Sequence, residues 1–177
     1  SDTAQMDDTL IQNWNERVAD DDTIYILGDA FWKNEENSIQ IMERLRGHKH
    51  LIQGNHDRVK GKLRFYWESI TQYAEVNDEN RLVILSHYPM LFYKNQHHGA
   101  TMLYGHVHDT RDELLIDHFI RATRQTSFLD FEGKEKTIPC CMINCFCVFS
   151  DYAPLTLDEW IENDQMRRKY LSEEFPA

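Results

Sequence analysis

The chain has few basic residues, no long apolar run, and no cysteines outside one short segment, and each of these absences excludes a class of protein. Its 177 residues hold 19 lysines and arginines against 30 aspartates and glutamates, a formal charge of -11. Such a surface repels polyanions, so we expect no extended nucleic-acid binding. No apolar run approaches the roughly 18 residues of a membrane span, and no basic flank with an apolar stretch resembles a secretion signal. We therefore expect a soluble, cytoplasmic protein that does not bind membranes.

The four cysteines all lie between Cys140 and Cys147. Their spacing fits neither a zinc-binding pattern nor a disulfide framework spread along a secreted chain. We interpret them as small hydrophobic residues of a strand. With 41% hydrophobic residues, the chain is long enough to bury one core, and we assign residues 1–177 to a single domain.

Strand patterns and helix patterns alternate along the chain. Helical spacing of apolar residues predicts helices over residues 7–18, 39–47, 114–124 and 158–171. Runs rich in β-branched and aromatic residues predict strands over 23–27, 51–53, 73–76, 81–86 and 101–104, and a hairpin from 128–131 and 137–149. The alternation predicts an α/β fold with a parallel sheet. In such sheets, ligands bind beyond the carboxyl ends of the strands.

Polar side chains follow four of these strands. In chain order they are Asp29, Asn55 with His56, His87, and His106 with His108. Imidazoles and carboxylates are ligands that Zn, Mn and Fe share, a carboxylate can bridge two ions, and an amide oxygen fills a further position. Any one of these residues alone is more often a turn or a packed histidine. Four in order, each closing an apolar run, predict a metal site.

Four blocks carry these residues: Gly28-Asp29, Gly54-Asn55-His56-Asp57, Ser86-His87-Tyr88-Pro89 and Gly105-His106-Val107-His108. Together they resemble the signature blocks of the calcineurin-like metallophosphoesterases. The segment Tyr152–Glu159 resembles the tail of the small bacterial and phage members. The resemblance implies a two-sheet β-sandwich flanked by helices, in four layers, with a dinuclear metal site at one edge of the sheets.

The resemblance also implies which residues bind metal. Asp29 resembles the bridging carboxylate, and Asn55, His87 and His106 resemble the remaining ligands of one ion. His108 resembles a ligand of the other ion. We expect two divalent ions, with Mn as first choice and Fe, Zn or Ni as alternatives that suit the same ligands.

Further residues resemble the catalytic and substrate-binding groups of the family. His56 resembles the histidine that contacts the phosphate and protonates the leaving oxygen, while Asp57 holds its ring. The loop before Gly-His-x-His lines the pocket mouth in the small members. Lys94, His97 and His98 of that loop are therefore candidate substrate contacts, with simple solvent exposure as the alternative.

The activity that the resemblance implies is hydrolysis of a small phosphorylated substrate. Two cations roughly 3.5 to 4 Å apart polarise the phosphoryl oxygens and acidify a water. A metal hydroxide then attacks in line at neutral pH, and the substrate is a phosphomonoester or a phosphodiester. The metals also supply positive charge that the acidic chain lacks.

One block departs from the family pattern. The family opens with an Asp-x-His block, whereas Asp2 is the only candidate here and Ala4 stands where the histidine belongs. One explanation is a degenerate first metal site, which leaves a metal-bound, non-catalytic binding or scaffold module. The other is a truncated start, with a strand missing before Ser1 and a loop missing after Thr3. We favour the second, which predicts an interruption between Thr3 and Ala4.

Overall fold

The computed structural model describes residues 2–31 and 34–174, with the side chains of 7–31 and 34–170. The described residues form four α-helices, α1 to α4, over Asp2–Arg17, Glu35–Met42, Arg111–Gln125 and Leu157–Glu174. They also form nine strands, β1 to β9, over Thr23–Ile26, His48–Ile52, Ser69–Thr71, Tyr73–Asp78, Arg81–Ser86, Thr101–Tyr104, Ser127–Leu129, Glu135–Thr137 and Cys141–Asn144. Within these ranges, none of the helices has the length and hydropathy needed to cross a bilayer.

The first sheet places β1, β2 and β3 side by side, all parallel. Its register pairs Thr23 with His48 and Ile26 with Leu51. Because the strands are parallel, their carboxyl ends meet at one edge of the sheet. That edge receives the loops that carry Asp29 and Asn55.

The second sheet has the order β4-β5-β6-β9. The strands β4 and β5 form an antiparallel hairpin, whereas β6 is parallel to β5 and β9 is parallel to β6. The carboxyl ends of β5 and β6 therefore lie at the same edge and lead directly to His87 and His106. The strands β7 and β8 pair only with each other.

Neighbouring residues of a strand point to opposite faces, and the apolar clusters follow that alternation. In β2, the fully buried Leu51 packs in a cluster with Met42 of α2, whereas Ile52 packs with Val83 and Leu85 of β5. In β5, Ile84 lies between those two residues and packs in the cluster that contains α3 residues. One apolar cluster thus contains residues of both sheets, a second contains residues of the first sheet and α2, and a third contains residues of the second sheet and α3.

Most predicted elements are confirmed, including β5 and β6 with their predicted bounds. The short strand β3 was not predicted. The predicted hairpin over 128–149 is partly wrong, because β9 leaves β7 and β8 and joins the second sheet. The physical reason lies just before β9, where Pro139 is followed by Cys140 in a left-handed conformation with φ 44°. Of the four cysteines, only Cys141 lies within β9, and all four are free.

The helix α1 begins at Asp2 and continues through Thr3 and Ala4, where the sequence analysis predicts an interruption. The interpretation that a strand and a loop are missing stays a prediction. The first turns contain Ala, Gln and Met, which have high helix propensity. They also contain acidic residues, which stabilise a helix near its N-terminus by interacting with the helix dipole. Asp2 therefore lies in the first turn of a helix. Its side chain lies outside the part of the chain that the structure describes.

Candidate metal centre

Four predicted metal ligands converge beyond the carboxyl ends of β1, β2, β5 and β6. His87 Nε2 lies 3.1 Å from Asn55 Oδ1, 3.2 Å from His106 Nδ1 and 3.5 Å from Asp29 Oδ2. The ligand atoms of Asp29, His87 and His106 all lie within 4.8 Å of one another. We call these four residues the metal cluster. The structure brings them together at the sheet edge where the sequence predicts a site.

The hydrogen bonds of His87 determine which of its nitrogens is available to a metal. The ring is 2% exposed, and its Nδ1 lies 2.7 Å from the backbone carbonyl of Leu27. A carbonyl only accepts, so Nδ1 carries a proton, and in the neutral ring Nε2 presents a lone pair. That lone pair faces the acceptor oxygens of Asn55 and Asp29. Imidazole nitrogen and carboxylate and amide oxygens are all metal ligands, so the donor set fits a divalent ion.

His106 contributes a second imidazole to the metal cluster. Burial, followed by the neighbouring His87, lowers the pKa of His106 below its usual value. The lower pKa keeps the ring neutral over more of the pH range. Neutral imidazole is the form that binds metals.

Two glycines allow the loops of the cluster to approach one another. A Cβ on Gly54 would lie 2.4 Å from Asp29 Oδ1 and 2.9 Å from His87 Cε1. A Cβ on Gly28 would lie 2.3 Å from His87 Nδ1, and the φ of Gly28 is +89°. Any side chain at either position would displace a ligand of the cluster.

The carboxylate of Asp57 ties the loop after β1 to the loop after β2. It accepts backbone N–H groups from Asp29 at 2.8 Å, Ala30 at 2.8 Å and Gly54 at 2.7 Å. Across the same loops, Asp29 Oδ1 accepts the backbone N–H of His56 at 2.9 Å. Asp57 therefore organises the backbone around the cluster. The further role of holding the His56 ring stays a prediction.

Several residues of the site adopt left-handed backbone conformations. The φ values are 53° for Asp29, 63° for His106 and 51° for His108. Residues other than glycine populate this region rarely, and they do so where surrounding contacts hold them. For Asp29, the contact is its backbone N–H donated to Asp57.

His108 is held apart from the cluster. Among the described side chains, the group within 4.8 Å consists of Asp29, His87 and His106, and His108 lies outside it. Its ring stacks on Phe146 with centroids 4.7 Å apart and an interplanar angle of 17°. Its carbonyl accepts from Asn144 Nδ2 at 2.8 Å. The sequence analysis missed both partners, although Asn144 closes an apolar run just as the predicted ligands do.

Two hollows border the site. His56 is exposed and lines one of about 270 Å³, whose other walls are Phe31, Glu35, Ser38, Asp57, Arg58, Val59, Leu63 and Trp67. His106 lines the other, of about 370 Å³, together with Tyr88, Pro89, Leu91, Val107, Asp112, Leu115, Ile116 and Phe119. A small molecule held at the cluster thus has space beside it near both histidines.

The loop predicted to line the pocket mouth lies toward the opposite end of the second sheet. Its Gln96 Nε2 contacts Cys140 Sγ at 3.4 Å, just before β9 begins, whereas the cluster lies beyond the carboxyl ends of the strands. Lys94 pairs with Glu75 of β4, and the ring of His97 lies 5.2 Å from an aromatic ring of β7. That Lys94, His97 and His98 contact substrate stays a prediction.

Comparisons with known proteins support a mixed α/β fold and give no information about activity. A scan against protein-family models finds no match. The chain is 41% identical over 66 residues to the uncharacterized protein MJ1445 of Methanocaldococcus jannaschii, a match that covers 36% of this chain and 38% of that protein. The crystal structure of AQ665, a protein of unknown function from Aquifex aeolicus, superposes with a TM-score of 0.61 at 23% identity. That superposition covers 86% of this chain and 82% of the other, and it shows a shared mixed α/β fold.

Proposed function

We propose that the chain is a metal-dependent phosphoesterase that hydrolyses a small phosphomonoester or phosphodiester. The observation that carries the proposal is the convergence of the Asp29, Asn55 and His106 ligand atoms on Nε2 of His87. The chain order of these four residues is the order in which the calcineurin-like metallophosphoesterases present their ligands. The type of reaction is therefore proposed from the family resemblance, and the converging ligand atoms support the proposed location of the site.

The residues of the metal cluster would hold one divalent ion, and His108, with Asp2, remains the proposed partner of a second. When bound, the ions polarise the phosphoryl group and acidify the attacking water. Mn is the expected metal, with Fe, Zn and Ni suited to the same ligands.

His56 is the proposed proton donor to the leaving oxygen. Its backbone N–H is fixed to Asp29 Oδ1, which places the residue next to the cluster. Its side chain lines the hollow of about 270 Å³, where Arg58 adds a positive charge. A protonated imidazole there gives its proton to the departing alkoxide and is left neutral. Asp57 keeps the two loops in register while this happens.

We further propose that the fold is the four-layer sandwich of that family. One apolar cluster joins the two sheets through Ile52, Val83 and Leu85. A second packs α2 on the first sheet, and a third packs α3 on the second sheet. The order helix, sheet, sheet, helix is what these clusters support.

A second candidate is a metal-bound binding or scaffold module that does not turn over substrate. The observation that favours it is the helical path of α1 through Thr3 and Ala4, where the family has a strand end and a histidine. With a single ion at the cluster, the chain would still bind a phosphate but would lack the second cation that the reaction uses.

The test is hydrolysis of p-nitrophenyl phosphate and bis-p-nitrophenyl phosphate with Mn²⁺. We expect metal-stimulated turnover by the parent chain, a loss of at least about 100-fold in Asp29→Ala and a loss of about 10²- to 10⁴-fold in His56→Ala. His48→Ala is the matched control, because His48 is a half-exposed histidine at the start of β2 that pairs with Glu68. Mn²⁺ binding without turnover would favour the binding module, and full activity in Asp29→Ala would overturn the site.

A further inference from the structure

Asn144 occupies the last position of β9, where it pairs with Tyr104 of β6, and it is 1% exposed. Its Nδ2 donates to the His108 carbonyl at 2.8 Å and to Glu113 Oε2 at 3.1 Å. Its Oδ1 accepts the backbone N–H of Phe146 at 3.1 Å. Both amide hydrogens and the amide oxygen are therefore used inside the protein.

The orientation of this amide follows from the chemistry of its partners. A carbonyl and a carboxylate accept hydrogen bonds, and a backbone N–H donates, so the reversed amide would oppose like groups on both sides. Glu113 is itself fixed, because it accepts from the Tyr104 hydroxyl at 2.8 Å and pairs with Arg167 at 2.9 Å. The amide thus has a single satisfied orientation, anchored through Arg167 to α4.

The same amide controls two features of His108. It holds the carbonyl of a residue whose φ of 51° is seldom adopted without support. It also holds the backbone of Phe146, whose ring stacks on the His108 imidazole. One buried side chain therefore fixes both the backbone of His108 and the ring that covers its imidazole.

We propose that Asn144, braced by Glu113, is a positioning residue that presents the His108 imidazole to a divalent metal ion. The inference rests on the proposed function, in which His108 binds the second ion. His108 follows His106 of the cluster by two residues, so a shift of this loop moves a ligand at the edge of the cluster. Residues that orient metal-binding histidines typically contribute about 10- to 100-fold to metal affinity.

The test compares Asn144→Ala with Gln96→Ala. Gln96 is a matched control, since it is 4% exposed and its Nε2 contacts the Leu91 carbonyl and Cys140 Sγ away from the cluster. In metal-free protein, NMR of the His108 ring protons should show loss of the ring-current shift from Phe146 in Asn144→Ala alone. Calorimetry with Mn²⁺ should show about 10- to 100-fold weaker binding of the second ion in that variant, and an unchanged affinity in the control.

Two further variants separate the ways in which the inference can fail. If His108→Ala weakens Mn²⁺ binding and Asn144→Ala neither weakens it nor moves the His108 ring signals, the inference is overturned and the proposed function stands. If His108→Ala leaves Mn²⁺ binding unchanged, the second ion assigned to His108 is overturned together with the inference. Should Asn144→Ala not fold, Asn144→Ser, which keeps a small polar group but shortens its reach, takes its place with the same expected results.

Discussion

The complete and incomplete halves of the predicted dinuclear site are held by different parts of the chain. In the complete half, the metal cluster follows the ends of four strands and is tied together by Asp57. In the incomplete half, His108 lies in a loop and Asp2 lies in the first turn of α1. Strand order brings the first set to one edge, whereas His108 is contacted by Asn144 and Phe146 from another strand end.

The difference shows how a sheet edge prepares a metal site. Parallel strands deliver their ends to one edge whatever the side chains are, so the loops begin close together, and Asp57 with two glycines completes their approach. A ligand beyond that edge needs dedicated contacts, and each contact is a separate position where the site can weaken. The predictions below test this contrast, beginning with the largest expected effect.

His87→Ala against His108→Ala tests the contrast directly. His87 lies at the centre of the cluster, with three ligand atoms within 3.5 Å of its Nε2. We expect His87→Ala to weaken the tighter Mn²⁺ site by more than about 100-fold, and His108→Ala to weaken only the second ion, by about 10-fold. Calorimetric titration of metal-free protein measures both. Equal losses of Mn²⁺ affinity in the two variants would mean that the two halves of the site bind metal equally strongly, which contradicts the contrast.

Gly54→Ala tests how closely the loops must approach. The added Cβ would meet Asp29 Oδ1 at 2.4 Å and backbone at 2.7 Å, so Asp29 must move. We expect a loss of about 1–3 kcal/mol in the free energy of unfolding, from overpacking, and about 10-fold in Mn²⁺ affinity. Gly133→Ala is the control, because its φ of +75° gives strain while its Cβ would meet nothing within 4 Å. A loss of metal affinity in Gly133→Ala as large as in Gly54→Ala would show that crowding is not the cause.

Asp57→Asn has the smallest expected effect, which is a loss in the free energy of unfolding. The amide replaces one of two oxygens that together accept three backbone N–H groups, so at least one donor loses its partner. A buried donor left unpaired costs about 1–3 kcal/mol. Asp22→Asn is the control, because exposed Asp22 accepts a single N–H from Ala19 and water can replace it. Urea unfolding should show a larger loss in the free energy of unfolding for Asp57→Asn than for Asp22→Asn. Equal losses would contradict the role of Asp57 in tying the two loops together.

Local patterns predict a metal site at these strand ends, and the family resemblance selects the four residues of the metal cluster. Asp29, Asn55, His87 and His106 each close an apolar run, and a parallel arrangement of those runs brings the residues together. The class of fold follows from the same alternation, and the structure confirms it as mixed α/β.

The remaining features depend on contacts between distant parts of the chain. Asn144 donates a hydrogen bond to the carbonyl of His108, which is 36 positions away in the chain, and no local sequence pattern predicts this contact. The path of β9 is also set at a distance, because β9 pairs with β6 of the second sheet and not with the neighbouring β7–β8 hairpin. The oxygens of Asp57 accept backbone N–H groups that only the folded loops bring near, and no local pattern predicts those contacts.

The most direct test of the central claim is anomalous X-ray scattering from a crystal of the parent chain grown with MnCl₂. We predict a manganese peak bounded by Asp29, Asn55, His87 and His106, whose ligand atoms already converge on His87 Nε2. The same peak should vanish in Asp29→Ala. A parent crystal with no manganese between these four residues would contradict the account.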